Sequence, residues 1–175
     1  GQGEAVILTG PIGIGKSAVM DEVASRLAES HGFTVLKGSF EDGAGQRGGL
    51  RQALDGYLGT RGRGKEDVQA AVLHMQERLK VNRPDDAQAL VHFLRPETEM
   101  QSSGPVPQND VFALVFRTFR DIARERPVIL AIDNLDVREE LAAALMEFFL
   151  FEVSYDPFRF FLLGGRSRPH VLGDS

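Results

Sequence analysis

The chain contains no cysteine. That excludes disulfides, thiolate metal sites and cysteine nucleophiles, and it suits a reducing compartment, so a cytoplasmic location is expected. No apolar run approaches the roughly 20 residues needed to cross a bilayer, and no basic-then-apolar segment opens the sequence; a soluble protein without a membrane partner is expected. Basic residues are in deficit, with 20 Lys and Arg against 25 Asp and Glu and a formal net charge of -5. Reading a phosphate backbone requires the opposite balance, which argues against direct nucleic-acid binding. His31, His74, His92 and His170 are scattered without ligand-like spacing, so structural or surface roles are expected of them.

What is present is 175 residues, 42% of them hydrophobic, enough for one α/β domain with a full core and too few for two. The chain opens on Gly1, enters an apolar run almost at once and ends in a short tail, so residues 1–175 are expected to be one domain of a longer multidomain chain.

The coarse pattern alternates strands and helices. Glu4 to Thr9 is a nearly continuous apolar run that reads as a strand buried on both faces. A helix over Gly15 to Ser30 and a strand from Phe33 to Lys37 complete a strand-helix-strand unit of right-handed crossover. Glu41 to Gly49 and Thr60 to Gly64, rich in glycine and polar residues, read as mobile surface loops. Helical spacing covers Leu50 to Leu58, Lys65 to Val81 and Asp85 to Leu94, with Pro84 and Pro96 as separators, and Arg95 to Gln108 reads as a loop or partly disordered linker. Asn109 is expected to cap a helix running to about Glu125. Val128 to Ile132 reads as a third buried strand, Glu139 to Val153 as an apolar helix, and Phe158 to Leu163 as a fourth strand closing on Gly164, Gly165 and Arg166. The phenylalanines from Phe148 to Phe161 read as core rather than as a base-stacking platform.

The segment Gly10-Pro11-Ile12-Gly13-Ile14-Gly15-Lys16-Ser17 fits the pattern G-x-x-x-x-G-K-S/T in full. Its glycines let the backbone bend around a phosphate so that N–H groups point inward, and the following helix adds the positive end of its dipole. Lys16 is placed to reach the β- and γ-phosphates, and the Ser17 hydroxyl to ligate Mg²⁺. The expected nucleotide contacts are Gly10, Pro11, Ile12, Gly13, Ile14, Gly15, Lys16, Ser17 and Ala18. A looser dinucleotide pattern, G-x-G-x-x-A from Gly13 to Ala18, competes; it calls for an acidic residue closing the second strand, where Lys37 and Gly38 stand, with Glu41 a little beyond.

Asp133 closes the third strand in the form of a Walker B acid, a second Mg²⁺ ligand beside Ser17, against the plainer use of an aspartate that caps the next helix. Asn134 stands where many such ATPases carry the glutamate that polarises the attacking water, and an amide accepts no proton at neutral pH. Hydrolysis is therefore expected to be slow unless Asp136 or Glu139 substitutes. Arg166, at the end of the fourth strand, reads as a sensor of the γ-phosphate or as a solvated strand-end arginine, with Arg168 a weaker candidate for the sensor. Lys16, Asp133, Asn134 and Arg166 are thus the candidate catalytic set.

The phosphate loop, the segment Leu50-Arg51-Gln52-Ala53-Leu54, and a long apolar helix followed by Arg126-Pro127-Val128-Ile129-Leu130-Ala131-Ile132-Asp133-Asn134-Leu135 together resemble the STAND branch of the AAA+ ATPases, in particular the ATPase modules of large actinobacterial transcription regulators. Those modules usually end the acid strand in two aspartates with a tryptophan a few residues on; Asp133, Asn134 and Val137 stand at those places. The resemblance implies a three-layer P-loop NTPase sandwich with a mostly parallel sheet of order 5-1-4-3-2, its fifth strand missing from this chain. It implies ATP and Mg²⁺ as ligands and a regulatory switch in which ATP favours an assembled, active form. It further implies a lid, effector-sensing repeats and a DNA-binding domain elsewhere in the polypeptide. The competing function is a P-loop kinase for a small molecule, with Arg61, Arg63 and Lys65 read as lid residues.

Overall fold

A computed structural model of the chain describes residues 4–40, 48–96, 107–155 and 159–167. The short apolar runs become four strands, β1 (Glu4–Thr9), β2 (Thr34–Ser39), β3 (Val128–Asp133) and β4 (Phe160–Arg166), all paired in parallel in the order β1-β4-β3-β2. Among the described residues six α-helices connect them: α1 (Lys16–His31), α2 (Gly48–Leu58), α3 (Lys65–Arg78), α4 (Pro84–Leu94), α5 (Gln108–Glu125) and α6 (Glu139–Tyr155), the last entered through a 3-10 turn, Leu135–Arg138. This is the expected three-layer sandwich and the expected strand order, without a fifth strand among the described residues.

Strand alternation divides the core into unequal halves. Leu36, Val128, Leu130, Ile132, Phe160 and Leu162 face the large cluster built with α2 to α6, whereas Ile129, Ala131 and Leu163 face α1 through Met20. The larger half is aromatic at its centre. Phe112, Phe116 and Phe119 recur along one side of α5, and the Phe116 ring lies 5.4–6.1 Å from those of Phe119, Phe148, Phe149 and Phe160. Phe151, by contrast, is 57% exposed rather than core. At the outer side of this half, Asp86 of α4 joins Arg83 and Arg117 of α5. Burial alone would raise the Asp86 carboxyl, but its two arginine partners outweigh that and lower it below the ordinary value.

Several expectations are corrected. β1 is not buried on both faces: it is an edge strand, and Val6 and Ile7 are 41% and 37% exposed. An apolar run reports that a strand belongs in a sheet, not how many neighbours it has. Asn109 does not cap α5, because the helix begins one residue earlier, with Pro107 at the N-cap and the Pro107 carbonyl receiving the Asp110 and Val111 N–H groups. Pro84 is the first residue of α4 rather than a separator; a proline there has no N–H to lose. The fourth strand runs on through Gly164, Gly165 and Arg166 instead of stopping before them. Of the stretch from Thr60 to Gly64, residues 61–64 lie at the surface as expected, but Thr60 itself is buried. Thr60 is 2% exposed and its Oγ1 donates to Asp55 Oδ1 at 2.6 Å. Arg95 then grips Asp55 with both Nη atoms, at 2.9 and 3.0 Å, and donates to the Thr60 and Arg63 carbonyls. The loop from 41 to 47, Glu41 with it, most of the linker (97–106), Phe158, Arg168 and His170 lie outside the described residues.

Removing one partner of a buried, hydrogen-bonded ion pair leaves the other charge uncompensated. Arg95→Ala is therefore expected to destabilise the fold by about 3 kcal/mol, read as a shift of the urea midpoint. A variant that unfolds at the wild-type midpoint would show that the clamp contributes nothing.

Candidate functional site

The carboxyl ends of four parallel strands share one rim, and the candidate residues gather there. β1 ends at Thr9 and hands the chain to the loop Gly10–Gly15, which turns directly into α1. Gly13 and Gly15 hold φ values of 83° and 94°, a left-handed region closed to most side chains. Gly15 is also the N-cap of α1; no side chain caps the helix, and no acidic residue stands in its first turn. The first amide bonded back to the N-cap is that of Val19, at 3.0 Å to the Gly15 carbonyl, so the preceding N–H groups of Lys16, Ser17 and Ala18 have no partner within the helix. Such a terminus, with its positive dipole end, suits an anion. Lys16 Nζ arches back over the loop and donates to the Gly10 and Pro11 carbonyls at 2.9 and 2.8 Å, while Ile12 and Ile14 project into solvent.

Across the rim, Ser17 Oγ donates to Asp133 Oδ2, and the other carboxylate oxygen accepts the Asn134 N–H at 2.9 Å. β4 lies between β1, which leads into the loop, and β3, which carries Asp133, and Asp133 Oδ1 stands over Gly165. A Cβ on Gly165 would collide with Asp133 Oδ1 and stand 2.8 Å from Met20 Sδ; one on Gly164 would meet Ile7 and Leu135 on the opposite face. Neither glycine was legible as a site residue, although two glycines at the end of an apolar strand do signal a close approach.

Asn134 sits at φ 55° and ψ 44°, a conformation asparagine tolerates better than most residues. Its Nδ2 donates to Ser39 Oγ at 2.9 Å, which brings in a residue of β2 that sequence reasoning missed. Of the two carboxylates proposed as substitute bases, Asp136 accepts the Ser167 N–H at 3.0 Å and Glu139 is paired with Arg166 at 2.6 Å. The Arg166 carbonyl accepts the Gly10 N–H at 3.3 Å, so its backbone adjoins the loop. Its side chain, by alternation from Gly165, leaves on the face opposite Asp133.

The donor types fit the ligands expected from the sequence. The loop amides and the Lys16 ammonium suit a phosphate chain, and the paired hydroxyl and carboxylate of Ser17 and Asp133 suit a hard, oxygen-seeking cation such as Mg²⁺. No cluster of three or more His, Cys, Asp or Glu with metal-binding geometry occurs among the described residues. At the end of β2, Lys37 pairs with Asp21, and Gly38 packs against the Gly49 backbone, so among the described residues β2 itself carries no carboxylate at its end to hold a ribose. Arg61 and Arg63 line a cavity of about 510 Å³ with Val35, Lys37 and Tyr57. That cavity adjoins β2, at the edge of the sheet opposite β1 and the phosphate loop.

Residues 1–162 match the family described as AAA ATPase domain. No curated protein matches the chain. The matched span takes in the loop, Ser39, Asp133 and Asn134 and stops before Gly165 and Arg166.

Gly165→Ala is expected to push Asp133 away from Ser17. Displacing a group that orients a metal ligand lowers metal affinity by roughly 10- to 100-fold, so the Mg²⁺-dependent part of nucleotide binding should weaken by that order while binding in EDTA holds. An unchanged Mg²⁺ dependence would contradict the role given to the glycine.

Proposed function

Because the chain belongs to the AAA ATPase domain family, a family of nucleotide-dependent ATPases, we propose that it is an ATP-binding regulatory switch of the STAND type, serving a bacterial transcription regulator and hydrolysing ATP slowly. The observation that carries this reading is Asn134. It follows Asp133 at the rim, its amide is engaged with Ser39, and among the described residues the two candidate substitutes, Asp136 and Glu139, are engaged elsewhere. A site with a complete phosphate cradle and no water-polarising acid favours a long-lived bound state over turnover.

In this reading the amides of Gly13 to Ala18 and the Lys16 ammonium hold the β- and γ-phosphates. Ser17 and Asp133 hold Mg²⁺, which would neutralise phosphate charge and polarise the γ-phosphoryl group. Arg166 answers to the third phosphate from the neighbouring strand. The unit is one domain of a longer cytoplasmic chain, with a further strand beside the half-exposed β1 and with lid, effector-sensing and DNA-binding parts elsewhere in the polypeptide. ATP binding promotes its self-association. The kinase reading lacks support, since its proposed lid arginines adjoin the far edge of the sheet.

The test compares ATP, ADP and GTP affinities of the wild type and Lys16→Ala. A charged hydrogen-bonding group contributes about 1.5–3 kcal/mol, so the variant should bind ATP roughly 10- to 100-fold more weakly. Equally tight binding by both proteins would remove the basis of the proposal. Wild-type turnover should fall far below the enzyme median of about 10 per second. Asn134→Asp, a residue that also tolerates the left-handed backbone, should raise it at least about tenfold, general-base assistance being worth about 10²–10⁴-fold when well placed. Fast wild-type phosphate release, or no gain in the variant, would count against Asn134 as the brake.

A further inference from the structure

At the far edge of the sheet three cations converge on one cavity, in a chain whose basic residues are in deficit. The space, about 510 Å³, is lined by Val35 and Lys37 of β2, by Asp55 and Tyr57 near the end of α2, and by Arg61 and Arg63 of the turn that follows. Pockets for small molecules run from about 300 to 1,000 Å³. The carboxylate in the lining is already engaged: Asp55 Oδ1 receives Thr60 Oγ1 and Arg95 Nη2, and Oδ2 receives Arg95 Nη1. Lys37 is bonded to Asp21 at 2.7 Å, but both side chains are exposed, and such a pair holds weakly. Among the described residues neither the Arg61 nor the Arg63 side chain has a hydrogen-bond or ion-pair partner. Their backbone is nonetheless bonded back to the fold. The Thr60 N–H donates to the Asp55 carbonyl and the Arg63 N–H to the Thr60 carbonyl, each at 3.0 Å, and Arg95 Nε donates to the Arg63 carbonyl at 2.8 Å. Gly59 and Gly62, at φ 67° and 71°, supply the left-handed backbone of the turn. The Arg61 guanidinium lies over Gly56, where a Cβ would stand 2.9 Å from Nη2. Glycine inside a helix is otherwise unfavourable.

We infer that this cavity is a separate anion site, which takes a small organic phosphate. Three cations without a free carboxylate repel one another, and a dianion placed among them turns that repulsion into attraction. A planar guanidinium matches phosphate oxygens two at a time, whereas a carboxylate offers a single charge. Val35 and the Tyr57 ring give the apolar body of the ligand a surface to lie on. Because the turn is already bonded in place, a ligand has chiefly side chains to order, and ordering is a main cost of binding. A nucleic-acid backbone fits less well: the cations line a hollow rather than a stripe, and the chain carries a net charge of -5. The cavity adjoins β2, and the phosphate loop follows β1 at the opposite edge of the sheet, so the two sites are distinct. The inference stands whether or not the loop takes ATP.

Titration of the isotope-labelled 175-residue chain with phenyl phosphate, followed by backbone amide shifts, tests this; inorganic phosphate and a short polyglutamate peptide are the comparison probes. Phenyl phosphate should move the amides of Gly59 to Arg63 and bind more tightly than either comparison probe. Arg61→Ala and Arg63→Ala should each weaken it about tenfold, the scale of one charged hydrogen bond, at the wild-type urea midpoint. Arg61→Gln, which keeps the side-chain stem, gives the same reading should the alanine variant unfold early. Lys16→Ala, which impairs the phosphate loop, and Arg126→Ala, which removes an exposed arginine elsewhere, should each leave the affinity unchanged. The inference is overturned if the arginine variants bind as the wild type does, or if Arg126→Ala weakens binding as much as they do. It is equally overturned if the shifts fall on Gly10 to Ser17 and vanish in Lys16→Ala. Tighter binding of the polyglutamate peptide through the same arginines would also overturn it, and would make this face a protein-docking surface.

Discussion

A serine at the start of one helix touches an aspartate at the end of a strand two places away in the sheet, and the arrangement of the rim depends on that contact. Ser17 rides on α1, Asp133 on β3, and β4 runs between the strands that lead to them. Any side chain on β4 at this point would hold the two apart, so Gly165 is a condition of the site rather than a weak spot in a strand. Glycine reduces strand stability through its backbone freedom. The cost is tolerated here because Phe160 and Leu162, further back on the same strand, are locked into the aromatic core.

The two faces of the sheet divide the labour. One face bears α2 to α6 and nearly all of the buried aromatic surface; the other bears α1, set against a core of Met20, Ile129, Ala131 and Leu163. The phosphate loop is attached to the thin side. Its geometry is fixed less by packing than by local backbone: two glycines at positive φ, a lysine folded onto its own carbonyls, and the Gly10 amide bonded to β4. A loop held by hydrogen bonds to itself can exchange those bonds for a ligand without disturbing the larger core, and motion of that kind is drawn from regions of low contact density.

This division explains what could be read in the sequence. The loop, α1 and the acid strand are local patterns, each complete within one short stretch of chain, and they appear where the spacing put them. Asp133 was legible because an apolar run with a terminal acid is itself a local signal. Ser39 and Gly165 were not, since each matters through a residue far off in the chain that the topology brings beside it. Thr60 was misjudged for the same reason: a glycine-rich stretch reads as loose until Arg95, 35 residues on, closes over it. The exposure of β1 was hidden by a different limit, because hydrophobicity records that a strand is meant to be covered and not whether the cover lies in the same stretch of chain.

Charge poses the last physical question, because a protein of net charge -5 should repel a polyphosphate. The long-range term is weak: at physiological ionic strength the screening length is about 8 Å, and carboxylates beyond it contribute little. The loop presents uncapped amides, a helix first turn free of acids and the Lys16 ammonium, so its own groups oppose the sign of the net charge. Asp133 is an acid at this rim, bonded to Ser17 at the edge of the loop. Two unit charges 4 Å apart interact by about 4 kcal/mol at an effective dielectric constant of 20. A carboxylate beside a bound phosphate chain would undo much of what the loop supplies unless a cation stood between them. The acid that looks like a flaw in an anion site thus fits the proposed reading, in which nucleotide would arrive there together with a divalent metal.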